Sequence, residues 1–188
     1  MRTFALALGL LIATAAGCHD RTPNDVPNDG GASDGRAGRL HMIVDVSTEG
    51  APKVIGSNEG SFVELRAEAT TPFARIVEGV DTAKHLGGTK FMIVLGDKRT
   101  KPFSLPPFDP SGAKPESDAV SVESDGSLTV NGAKVASPAA AGEALGGDAS
   151  SRIIALSAPK NATASSVVDV IGELVKVGRP ITLAVRPS

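Results

Sequence analysis

Residues 65–94, LRAEATTPFARIVEGVDTAKHLGGTKFMIV, and residues 156–185, LSAPKNATASSVVDVIGELVKVGRPITLAV, align without a gap at an offset of 91. Identities include Leu65/Leu156, Ala67/Ala158, Val77/Val168, Gly87/Gly178 and Val94/Val185, and Ile76/Val167, Glu78/Asp169 and Val80/Ile171 are alike. Each stretch reads as strand–helix–strand. In the first, Phe62, Glu64 and Arg66 alternate with Val63, Leu65 and Ala67, the period of a strand. Thr71 then stands as N-cap with Pro72 at the first helical position, and Phe73, Ile76, Val77, Val80 and Ala83 follow at helical spacing. Gly87-Gly88 closes the helix, and Phe91–Leu95 is a short apolar strand. In the second, a strand over Ile153–Leu156 leads to an apolar stripe of Ala164, Val167, Val168, Ile171, Leu174 and Val175. Gly178 and Pro180 stop that helix before a strand over Ile181–Val185. A register shared over the whole unit reads as a duplication.

Working outward, each copy is preceded by strands. His41–Val46 and a weaker Lys53–Ile55 precede the first. Ala119–Glu123 and Ser127–Val130 precede the second as a hairpin turning at Asp125-Gly126, with a further turn at Asn131-Gly132. Ser137-Pro138 then caps a short helix through Leu145. The first copy has no counterpart of that helix, because the join between Ile55 and Phe62 is too short for one. Residues 97–117 read as a proline-rich linker. The expected fold class is α+β: two tandem units, at 40–96 and 118–188, each a small β-sheet with one or two helices packed on one face.

The run VSVESDGSLTVNGAKV, Val120–Val135, followed by the strand–helix–strand of Arg152–Val185, resembles the periplasmic domain of the ExbD/TolR family of biopolymer transport proteins. Residues 40–96 resemble a degenerate copy of the same domain. Members are small subunits of ion-driven envelope motors, with one acidic transmembrane helix and a periplasmic domain that dimerises and, in the TolR branch, is associated with peptidoglycan. The resemblance therefore implies a binding module whose partners are motor membrane subunits or peptidoglycan, working as a homodimer or, with two copies in one chain, as an intrachain pseudo-dimer. A direct accessory subunit of such a motor is the alternative. The proton step is not implied, since the membrane-directed segment Phe4–Ala16 carries no Asp or Glu and a proton relay requires an ionisable group.

That segment follows Met1-Arg2-Thr3, is too short to span a bilayer, and suits a signal peptide over 1–17. Ala15-Ala16-Gly17-Cys18 resembles a bacterial lipobox, so Cys18, the single cysteine of the 188 residues, is the expected lipidation site and the protein's link to a membrane. His19 rather than Asp follows it, which leans towards the outer membrane, on the periplasmic side of the envelope. Residues 18–39, rich in Gly, Asp, Asn and Pro, form a polar tether unable to offset its ordering entropy by burial.

A net charge of −2 excludes the basic footprint of a nucleic-acid binder. His19, His41 and His85 have no metal-ligand spacing, so no metal and no cofactor is expected. No nucleophile motif or phosphate loop occurs, so no catalytic residue is assigned and the chain is not expected to be an enzyme; a hydrolase with an unrecognised site is the remoter alternative. Gly56–Gly60 reads as a turn, and Glu78, Asp81, Asp169 and Glu173 as a solvated helix face. Lys98, Arg99 and Lys101 are the one basic cluster suited to an anionic polymer or headgroup.

Overall fold

The computed structural model describes residues 41–56, 61–107, 110–111, 114–146 and 151–187; the signal segment, Cys18 and the tether lie outside them. The fold is α+β. The first half runs β1 (His41–Val46), β2 (Lys53–Val54), β3 (Phe62–Ala67), α1 (Phe73–His85), β4 (Lys90–Leu95), β5 (Lys98–Arg99) and β6 (Phe103–Ser104). The second runs β7 (Ser117–Val122), β8 (Leu128–Val130), β9 (Ala133–Val135), α2 (Pro138–Leu145), β10 (Ile153–Pro159), α3 (Ala164–Leu174) with a 3-10 turn over Val175–Val177, and β11 (Ile181–Arg186). One sheet has the order β2-β1-β3-β4-β5, with β6 also on β4; the other has the order β11-β10-β7-β8-β9. Each is a parallel trio (β1, β3, β4; β7, β10, β11) with an antiparallel strand beside its first member.

The pleat explains the burial. Val44, Leu65 and Ile93 stand opposite one another across the first trio, and Val120, Leu156 and Leu183 across the second. All but Leu183 are fully buried. Leu65 and Leu156 contribute about 1.5–3 kcal/mol each by leaving water. The buried side chains of both halves form a single hydrophobic cluster.

The ungapped alignment holds through the helices and then slips. Leu65 faces Ile93, whereas Leu156 faces Leu183, one residue earlier than an offset of 91 requires. After Gly87 three residues lead to Phe91; after Gly178 two lead to Ile181. Because a one-residue slip turns every side chain over, the apolar sets Phe91/Ile93/Leu95 and Ile181/Leu183/Val185 decide the register. Val94 and Val185 are thus identical in sequence but not in place.

Two further expectations change. The stretch read as a linker carries β5 and β6: Thr100 exchanges N–H and hydroxyl bonds with Ile93 (2.9 and 3.0 Å), and the Phe103 ring lies 6.1 Å from that of Phe91. Residues Ala133–Val135, read only as following a turn, form β9; Asn131 (φ 49°) and Gly132 (φ 82°) provide the left-handed pair of a tight hairpin.

Thr71 is not the N-cap of α1. Helix α1 starts at Phe73, and the Thr71 hydroxyl accepts the Glu68 N–H instead (3.1 Å). The other half supplies the cap. Phe73 N–H donates to the Ala162 carbonyl (2.7 Å) and Ala164 N–H to that of Thr71 (2.7 Å). Ala74 N–H donates to Lys160 (3.5 Å) and Ser165 N–H to Ala69 (3.1 Å). Pro72 and Thr163 bridge antiparallel between them. Shifting each partner by 91 converts one bond of each pair into the other, which is the reciprocity of a two-fold interface. The bonds satisfy the N–H groups that begin every helix without an internal partner. Helix α1 accordingly packs on β10 and β11 as well as on β1 and β3, and α3 packs on β4 and α1.

Candidate functional site

A concavity of about 800 Å³ opens at the C-terminal end of α1. Gly87 (φ 92°) reverses the chain there; its N–H donates to Lys84 O (3.0 Å) and that of Gly88 to Ala83 O (2.9 Å), the two bonds of a Schellman cap. Gly88 has no room for a side chain, since a Cβ would lie 2.6 Å from a Val63 methyl. Lys84, His85 and Lys90 line it together with Leu105-Pro106-Pro107. That proline strap is tied down by Leu105 N–H on the Thr89 carbonyl (3.2 Å). His85 Nδ1 lies 2.7 Å from Asp81 O.

A second groove, about 630 Å³, crosses between the halves. Lys98, Arg99 and Lys101 line it from the first half, and the start of α2 and the outer face of α3 from the second. The expected basic cluster is thus brought onto the acidic face of α3. Lys98 Nζ is 3.5 Å from Asp169, both more than half exposed, a pair worth about 0–1 kcal/mol. Glu173 takes Lys176 (2.7 Å) and Glu78 takes Arg75, so the helix carboxylates are engaged in surface pairs, while Asp81 is exposed.

The strongest buried polar cluster was not legible in the sequence. Asp118 on β7 receives Arg179 Nη2 at 2.6 Å and Asn131 Nδ2 at 3.1 Å, with Arg152 Nη2 at 3.2 Å. Arg179 also donates to the carbonyls of Arg152 (2.7 Å), Ile153 (3.2 Å) and Leu145 (3.5 Å). The Arg179 guanidinium holds the Asp118 carboxyl below the ordinary aspartate value against the opposing effect of burial, and Asn131 and Arg152 lower it further. Each nitrogen of the Arg179 guanidinium ends on a protein acceptor, whereas Arg152 Nε is buried without one, and the cluster ties β7, β10 and the end of α2 together. The signal was faint: one Asp before an apolar strand and one Arg between Gly178 and Pro180.

Among the described residues no group of three or more His, Cys, Asp or Glu could hold a metal ion, and no helix is long and apolar enough to cross a membrane. His41 begins β1 and His85 ends α1, in different elements. Of the turn at 56–60 only Gly56 is described; it packs against Ile43, whose N would lie 3.1 Å from an added Cβ. Cys18 and His19 lie outside the described residues. No family model matches the chain, nor does any curated protein or solved structure.

Proposed function

We propose that this chain is a non-catalytic binding protein of the bacterial envelope. In this reading a lipid on Cys18 holds it to a membrane on the periplasmic side. Its two ExbD/TolR-like units, products of a duplication, close on each other as an intrachain pseudo-dimer that docks a component of an ion-driven transport complex or the cell wall. The observation that carries the reading is the reciprocal set of bonds between residues 69–74 and 160–165. It supports a duplicated module that has internalised the pairing a single-copy module would make with a second chain.

The test is crosslinking and pull-down from native envelopes with the lipid anchor intact, beside the solution mass of the chain in detergent. A monomeric mass with enrichment of motor membrane subunits, or of peptidoglycan, is the expected result. A chain whose halves tumble independently, or turnover of a substrate abolished by one point mutation, would sink the proposal.

A further inference from the structure

The concavity at the end of α1 is where the two halves part company chemically. Core positions match: Val63 with Ile154, Ile76 with Val167, Val80 with Ile171 and Ala83 with Leu174 are all buried and apolar. The pocket positions do not. Lys84 stands where the second half has Val175, Gly88 where it has Arg179, and Lys90 where it has Pro180. In the second half Arg179 turns inward and closes its corner on Asp118. In the first half Gly88, packed against Val63, carries no side chain to close the pocket, and the strap Leu105-Pro106-Pro107 adds an apolar wall.

Three separate departures therefore converge on one cavity, of a size that suits a small ligand. Its charge is one-sided. Lys84, His85 and Lys90 face a single carboxylate, Asp81, and among the described residues neither Lys84 nor Lys90 is in an ion pair, although seven pairs form elsewhere. Unpaired cations beside a dry wall recognise an anion carried on an apolar body. We propose that this pocket binds a small amphiphilic anion. Its phosphate or carboxylate sits at Lys84 and Lys90, with the His85 ring beside them, and its apolar portion lies along Leu105–Pro107. A free metabolite and a lipid headgroup share this chemistry.

The probe is hexyl phosphate titrated into the full-length chain and followed by calorimetry and amide shifts, with hexyltrimethylammonium as the opposite charge and dihexanoyl phosphatidate as the lipid form. Saturable binding of hexyl phosphate and none of the ammonium compound are expected, with shifts centred on Lys84–Lys90 and Leu105. The double variant K84E/K90E, at two exposed positions, should bind at least about tenfold more weakly with unchanged thermal unfolding, since two charge-assisted contacts turn repulsive. K134E, on distant β9, should bind as the parent does. Tighter binding of the phosphatidate identifies a lipid headgroup as the natural ligand, and tighter binding of hexyl phosphate a free anion. Absence of saturable binding, or binding indifferent to K84E/K90E, overturns the proposal.

Discussion

On β4 the outer edge is covered by Lys98–Arg99 and Phe103–Ser104 of the same chain, and Leu95 keeps 3% of its surface. On β11, in the same place in the second sheet, no strand pairs with the outer edge among the described residues and Val185 keeps 37%. At the other margin the roles reverse. Helix α2 lies over β8, where Val130 keeps 6%, while Val54 on β2, opposite Val44 as Val130 is opposite Val120, keeps 37%. Each half covers what the other leaves open. Positions between sheet and helix stay apolar and mostly exchange residues of similar size, because interiors are close-packed, with Ala83/Leu174 the exception. The margins carry no such constraint, and it is there that the halves differ.

The comparison is broken most severely at the buried cluster that only the second half owns. Arg179→Met leaves Asp118 with only the Asn131 amide and the part-exposed Arg152 and should cost about 3–5 kcal/mol in urea unfolding. A loss under about 1 kcal/mol would mean that the cluster is a solvated surface pair. Asp118→Asn sharpens the point through pH. The Asp118 carboxyl titrates below its unfolded value, so its stabilisation is complete above the ordinary aspartate range and is lost as pH falls through the depressed folded value. Below about pH 4 the parent should lose stability more steeply than Asp118→Asn; equal slopes would remove Asp118 from the acid response.

Next in size are the matched core positions. Leu65→Ala and Leu156→Ala should each cost about 3 kcal/mol and lower one shared transition, because both side chains belong to one cluster. Two separable calorimetric transitions, each moved by only one variant, would show two independent units. A smaller effect marks the helix found only in the second half. The Ser137 hydroxyl accepts the Ala140 N–H (3.1 Å), so Ser137→Ala should cost about 1 kcal/mol, read as a shift of the denaturation midpoint. The least is expected between the halves at the surface: Asp169→Asn should stay within about 0.5 kcal/mol, and a larger loss would give the second groove a structural role.

What could be read in advance followed from periodicity and punctuation. The strands His41–Val46 and Ile181–Val185 and the helix Ser137–Leu145 were legible because alternation, a serine cap and paired glycines act within a few residues. Three features escaped. Strands β5 and β6 have two residues each and too much proline for a period, and they exist because Thr100 and Phe103 find Ile93 and Phe91. The one-residue slip at β11 hides behind the chance identity Val94/Val185, and burial, not identity, decides it. The caps of α1 and α3 come from carbonyls on the other half, so the best local cap, Thr71, was spent on Glu68. The candidate pocket was invisible for the same reason: Lys84, Lys90 and Leu105 are ordinary residues until a proline strap brings them together.

The reciprocal caps also set an order of events. Residues 69–74 and 160–165 must meet across about half of the chain, and contacts of long sequence separation form late. A chain that emerges in order from a ribosome presents α1 before Lys160 and Ala162 exist to receive its first N–H groups, and before β10 and β11 can shield its apolar side. The capping and covering of α1 therefore wait for residues 153–186.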